Sequence, residues 1–260
     1  MRLRVPALLV ATALTLAACS SSGSSTGSSS ASGSDAANGS ITVFAASSLK
    51  ETFTTLGTQF EAAHPGAKVT FNFGASSTLA TQITQKAPAD VFAAASTKTM
   101  DTVVQAGSAS SPQTFAVNTM EIATPPKPTV TVMSVADLGK PGVKVVVCQK
   151  EVPCGIAAAA VFAKNKVTVT PVSEEADVKA VLTKVELGEA DAGIVYVTDV
   201  KSAGDKVVGV TIATDQNVTT TYPIVAIKAS TQAATAAAFV AYVLSPAGQQ
   251  VLAAAGFASP

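Results

Sequence analysis

Val43-Phe44-Ala45-Ala46-Ser47-Ser48-Leu49-Lys50 is the stretch on which the fold of this chain turns. An apolar run of strand type ends there, and Leu49, Phe53, Leu56 and Phe60 then recur at helical spacing, with two hydroxyls at the junction. A helix that starts this way presents unpaired backbone N–H groups and the positive end of its dipole, which together favour a bound anion. Serine is also a good helix cap, and read alone Ser47 or Ser48 is better explained as one.

The same junction recurs in Phe73-Gly74-Ala75-Ser76-Ser77-Thr78-Leu79, where another strand gives way through a glycine to hydroxyls opening a helix. Around these two points strand and helix alternate. Residues 41–44, 68–73 and 90–94 have strand patterns, and the segments at Leu49–Phe60, Leu79–Ile83 and Met100–Val104 have helical ones. Such alternation predicts an α/β fold with a mainly parallel sheet and helices on both faces, whose ligand sites lie beyond the carboxyl ends of the strands. A further strand over 118–126 runs into Thr-Pro-Pro-Lys-Pro, a natural exit from one lobe to another. The second lobe is expected to hold strands at 143–147 and 192–197 and helices at 155–164 and 177–187. A last strand at 222–227 and helices at 232–244 and 246–255 would return to the first lobe. The domain layout expected is a signal peptide at 1–18, a linker at 19–40, one lobe from 41–119 with 222–260, and the other from 120–221.

The chain has 260 residues and is 48% hydrophobic, enough for proper cores. Lys plus Arg and Asp plus Glu number 17 each, so no basic surplus exists to collect phosphate backbones, and nucleic acid is not an expected partner. The single histidine, His64, stands before Pro-Gly at a helix end and reads as a surface residue.

At the N-terminus, Arg2 and Arg4 precede an apolar run at 7–16 that is too short to span a bilayer, the pattern of a secretory signal. It ends in Leu16-Ala17-Ala18-Cys19, which resembles the lipobox of bacterial lipoproteins and implies a lipid attached to Cys19. Residues 20–40 are almost all Ser, Gly, Ala or Thr and are expected to form a flexible tether with a reach of roughly 25 Å. The domain is therefore expected outside the cytoplasm, held to the membrane by that anchor.

Taken in order, Phe-Ala-Ala-Ser-Ser-Leu-Lys at 44–50, Gly-Ala-Ser-Ser-Thr-Leu-Ala at 74–80, Ala-Pro-Ala-Asp-Val-Phe at 87–92, Val-Pro-Cys-Gly-Ile at 152–156, Asp-Val-Lys at 177–179 and Gly-Ile-Val-Tyr at 193–196 resemble the periplasmic molybdate-binding proteins of bacterial ABC importers. Each motif is weak and the ordered set is specific. The resemblance implies a two-lobed type II periplasmic-binding-protein fold that closes over a tetrahedral oxyanion, molybdate or tungstate, with an ABC permease as partner and a monomeric state. It also implies the ligand set: Ser48 and Ser76 by hydroxyl and N–H, Cys154 and Val178 by backbone N–H, and Tyr196 by its phenol. The residues agree with that set, since Cys154 follows Pro153 and Val178 follows the good N-cap Asp177. Tyr196 is otherwise a half-buried strand-end tyrosine.

No Lys, Arg or carboxylate belongs to this set. A dianion would be held by neutral dipoles, and a P–OH proton would find no acceptor, so deprotonated molybdate, tungstate or sulfate suits the site better than phosphate. The metal would arrive as an oxyanion, with no direct cation ligands and no cofactor. Cys148 and Cys154 depart from the family's common pattern, which has a small residue, often alanine, at the second position. In an exported protein two cysteines this close favour a disulfide, against two buried thiols or a metal site that lacks further partners.

An enzyme is the competing class, with Ser47, Ser48 or Ser76 as nucleophile. No base accompanies them, the only Gly-x-Ser-x-Gly lies in the tether, and Ser47-Ser48-Leu49-Lys50 spells Ser-x-x-Lys without Ser-Asp-Asn or Lys-Thr-Gly. A surface protein without a small ligand would leave the paired junctions unexplained. The expected function is non-enzymatic capture of an oxyanion, with a sulfate-binding protein as the nearest alternative and a serine hydrolase as a more distant one.

Overall fold

The computed structural model describes residues 37–260; the signal peptide, Cys19 and the tether up to residue 36 lie outside the described residues. The expected linker boundary at residue 40 is too late. Ala37 is buried, Gly39 N–H donates to Gly66 O at 2.8 Å, and the first strand, β1, spans Gly39–Ala46. The reason is the sheet register, which pairs Gly39 with Ala67 and so brings the last tether residues onto the edge of the fold.

The first half then follows as α1 (Lys50–Ala63), β2 (Ala67–Gly74), α2 (Ser76–Thr84), β3 (Val91–Ala93), α3 (Thr97–Gln105) and the long β4 (Gln113–Thr124). The second half contributes β5 (Val145–Cys148), α4 (Pro153–Lys164), β6 (Ser173–Glu175), α5 (Val178–Glu186), β7 (Ala192–Tyr196), α6 (Val197–Ala203) and β8 (Val208–Thr211). The chain ends with β9 (Thr219–Ala226), α7 (Ala233–Leu244) and α8 (Pro246–Ala255). Three of these, β6, α6 and β8, at 3, 7 and 4 residues, are not among the elements expected from the sequence.

The strand order is β2-β1-β3-β9-β4-β7-β5-β6, with β8 beside β4. Parallel pairing is kept inside each half, between β1 and both β2 and β3, and between β5 and both β6 and β7. Antiparallel pairing enters with β9 and β4, the strands that join the halves. Residues 113–119 of β4 run along β9, whereas Met120–Ala123 lie against β7 and Glu121–Thr124 against β8. Strand β4 thus changes partners near Met120. There the Asn217 side chain clamps it, accepting from Met120 N at 3.1 Å and donating to Met120 O at 2.7 Å.

Separate apolar cores lie on either side of that crossing. One gathers Phe53, Phe60, Phe115 and Phe239, with Phe53–Phe115 and Phe60–Phe239 ring centroids 5.6 and 5.3 Å apart. Full burial stabilises each such ring by about 1.5–3 kcal/mol. The other gathers Val146, Val161, Val181, Val185, Ile194 and neighbours, all contributed between Met120 and Ile212 except Ala75, which reaches in from the first half. Helices α7 and α8 meet at 59° and bury Phe239, Val243 and Leu252; no single helix among the described residues is long and apolar enough to cross a membrane.

Candidate functional site

Four helix beginnings and one strand end converge between the halves. Ser48 lies in a 3-10 turn, Ser47–Leu49, that links β1 to α1. Neither junction serine acts as a cap: the residues ahead of the two helical segments are Ala46 and Ala75, and no side chain bonds back at either. The hydroxyls are instead engaged at long range. Ser48 Oγ lies 3.0 Å from the Tyr222 hydroxyl of β9, and Ser76 Oγ accepts from Ala95 N at 3.0 Å. All four residues are buried, Ser48 at 4% exposure and Ser76 at 1%.

From the second half, Cys154 is the second residue of α4 after Pro153, and Val178 is the first of α5. Asp177 caps α5 through Oδ1, which accepts from Lys179 N at 2.8 Å and Ala180 N at 3.2 Å. The cap leaves the Val178 N–H in the first turn, where a helix has no internal acceptor. Cys148 at the end of β5 is bonded to Cys154 by a disulfide, with Cα atoms 5.7 Å apart. The loop between them folds tightly over the helix start, so a Cβ on Gly155 would meet Gln149 O at 2.0 Å. That close approach requires glycine.

Tyr196 closes the set at the end of β7. It is 1% exposed, and its hydroxyl is buried without a protein hydrogen-bond partner. The ring stands edge-on to Tyr222, centroids 5.9 Å apart. Burial first, then neighbouring Tyr222 and Asp199, push the Tyr196 phenol well above its ordinary pKa; burial likewise raises Tyr222, against the bond from Ser48. Both phenols are therefore protonated at neutral pH and available as donors.

The structure brings all five expected residues, Ser48, Ser76, Cys154, Val178 and Tyr196, to the wall of one hollow. It is narrow, with about 10 Å³ of free space, on the order of the roughly 10–15 Å³ that one water needs. Larger hollows lie elsewhere, and the largest described, about 640 Å³ near Asp90 and Lys228, contains none of the five. Asp177, which is not one of the five, also lines the hollow, because the residue that caps α5 must stand beside the N–H it exposes. One of its oxygens is already committed to two backbone donors.

Sequence reasoning missed Tyr222, which holds Ser48 from a position 174 residues away, and it missed the ion cluster beside the hollow. Lys179 Nζ lies 2.8 Å from Glu51 Oε2 and 3.1 Å from Oδ1 of the fully buried Asp199. Burial alone would lower the Lys179 pKa, but Asp199 and Glu51 outweigh it and hold the ammonium charged; burial raises Asp199, against the pull of Lys179.

Residues 41–258 match the family of bacterial extracellular solute-binding proteins. The chain is 47% identical over 222 residues, 85% of each sequence, to the molybdate-binding protein ModA of Mycobacterium tuberculosis (strain ATCC 25618 / H37Rv). It is 34% identical over 231 residues to ModA of Escherichia coli (strain K12), covering 84% of this chain and 89% of that one. The periplasmic molybdate-binding protein of Azotobacter vinelandii shares the fold at a TM-score of 0.76 and 21% identity, over 85% of this chain and 99% of the other.

Proposed function

Because this chain belongs to the bacterial extracellular solute-binding proteins and, within them, to the molybdate-binding proteins, we propose that it captures molybdate outside the cytoplasm and delivers it to an ABC importer. The observation that carries the reading is convergence: five donor residues from both halves line one hollow, one of them a buried phenol whose O–H has no protein acceptor. Donors of this kind have their own needs met first. Ala95 N–H feeds Ser76 Oγ, so Ser76 keeps its proton for a ligand, and the Tyr222 hydroxyl 3.0 Å away holds Ser48 Oγ in place. The Cys154 and Val178 N–H groups add the positive ends of two helices.

A dianion held so needs no lysine or arginine. In a site closed to water, charge-assisted hydrogen bonds from fixed dipoles are stronger than in solution, and no reorganisation is needed when the ligand arrives. The hollow has room for about one water, so a tetrahedral dianion enters only as the walls move apart around it. Tungstate, with the same shape and charge, is expected to bind as well. No nucleophile–base pair is part of this reading, and the protein acts on its ligand only by binding and release. Lipid attachment at Cys19 would hold a monomer near its permease. Closure of the halves would turn about the crossing strands β4 and β9.

Calorimetric titration of the apo protein with molybdate, tungstate, sulfate and phosphate tests this reading. One molybdate per chain with no heat from phosphate is expected. Binding of sulfate alone would reassign the ligand, and phosphate binding would mean that Asp177 accepts a ligand proton. No binding of any of the four would overturn the proposal.

A further inference from the structure

The ligand set contains no cation, yet the ammonium of Lys179 sits one residue from Val178 and is surrounded by three oxygens from two other helices. Glu51 Oε2 of α1 lies at 2.8 Å, Ser202 Oγ of α6 at 3.0 Å and Asp199 Oδ1 of α6 at 3.1 Å. Glu51 belongs to the first half, one helical turn beyond Ser48, whereas Lys179, Ser202 and Asp199 belong to the second. The other oxygen of Asp199 accepts from Tyr196 N at 3.2 Å. A continuous polar chain therefore runs from the turn after Ser48, through the neighbour of Val178, to the backbone of Tyr196. It bonds to one of the five ligand positions, Tyr196, passes within three residues of two others, and crosses between the halves once, at Glu51–Lys179.

We propose that Lys179 is a positioning residue that latches the halves together: its contact with Glu51 forms only when they meet, and it prolongs the lifetime of the bound anion without touching it. This rests on the reading above that the halves enclose an oxyanion. The division of charge supports the role. Asp199 is 0% exposed and needs Lys179 as a permanent partner, whereas the Glu51 side chain is 51% exposed and can return to water when the halves part. One partner is structural and the other is free to come and go. One ammonium against two carboxylates leaves the closed cluster at a net charge of −1, so Lys179 screens the repulsion between Glu51 and the anion without cancelling it.

Substituting Lys179 would strand the Asp199 charge in the interior and is a poor test, because the variant can simply fail to fold. Glu51→Gln removes the crossing contact and leaves the Lys179–Asp199 pair intact. Its effect has a sign that separates the two roles open to Glu51. If its charge merely acted through space on the anion, Glu51→Gln would tighten binding. If it is the latch, release of radiolabelled molybdate from preloaded protein into excess unlabelled molybdate should quicken by about two- to fivefold, the range for one partly exposed ion pair. The association rate and the melting temperature should barely move. Glu51→Lys, which sets two ammonium groups against each other, should quicken release further and raise the radius of gyration of the unliganded protein in X-ray scattering. Unchanged release in both variants, or slower release in Glu51→Gln, would overturn the latch. If wild type binds no molybdate, the functional reading fails by itself, and the scattering comparison of unliganded wild type and Glu51→Lys still decides the latch: equal radii overturn it.

Discussion

Tyr196→Phe should weaken oxyanion binding and leave the protein at least as stable as before, a combination that few other roles for this residue would produce. The change removes one oxygen from a side chain that is 1% exposed and keeps the ring, including its edge-on packing against Tyr222. In the complex, the lost contact is a hydrogen bond to a charged group, about 1.5–3 kcal/mol, or roughly 10- to 150-fold in Kd. In the unliganded protein the same hydroxyl has no protein partner, so its loss removes an unmet desolvation cost that is of order 1–3 kcal/mol when no water reaches the group. A chain of this size shifts its Tm by about 2–4 °C per kcal/mol, so the predicted direction is upward or flat. Calorimetric titration with molybdate gives the first quantity, and thermal unfolding of the unliganded protein followed by circular dichroism gives the second. Unchanged affinity together with a lower Tm would show that the hydroxyl serves the fold, and the ligand assignment of Tyr196 would have to be withdrawn.

The two serines should behave differently from the tyrosine. Ser76→Ala should weaken binding by about 1–3 kcal/mol and also lower stability, because the buried Ala95 N–H loses its acceptor; Ser48→Ala should do the same through Tyr222. Full molybdate affinity in both variants, measured by titration, would contradict the site. Molybdate affinity should be flat between about pH 7 and 9. The phenols of Tyr196 and Tyr222 are raised above the ordinary tyrosine value of about 10, so the donors are lost, and a repelling charge appears, only on the alkaline side beyond it. Affinity that falls between pH 7 and 8 would point to a different titrating group in the site. Thiol titration of denatured, unreduced protein in a form lacking Cys19 should find no free thiol, since Cys148 and Cys154 are bonded to each other. Two free thiols would remove that bond.

What could be read from the sequence was local. Ser48 and Ser76 announce themselves as hydroxyls where a strand pattern gives way to a helical one. Cys154, Val178 and Tyr196 enter through the family resemblance, with which Pro153, the cap Asp177 and the strand end agree. The residues that escaped depend on contacts between distant parts of the chain. Tyr222 lies in Thr-Thr-Thr-Tyr, an ordinary strand alternation, and nothing nearby indicates that its hydroxyl will reach Ser48. Nothing local in the sequence marks Glu51, Lys179 and Asp199 as partners, and only the packing of α1, α5 and α6 reveals that Asp199 has no access to water. Helix α6 itself was missed because Val197, Thr198 and Val200 are β-branched and continue the strand pattern of β7 past Tyr196. The tether boundary was misplaced for a similar reason: Gly39 and Ser40 look like linker, and only their pairing with Ala67 and Lys68 makes them strand.

The claim on which the rest depends is that uncharged donors from two halves of the molecule meet around one dianion. Anomalous diffraction at the molybdenum absorption edge, from crystals grown with molybdate, locates the metal directly. A single site is predicted in the hollow between the halves, with oxyanion oxygens about 2.7–3.0 Å from Ser48 Oγ, Ser76 Oγ, the Cys154 and Val178 backbone nitrogens and the Tyr196 hydroxyl. A molybdenum peak elsewhere, or one held by lysine side chains, would contradict the account.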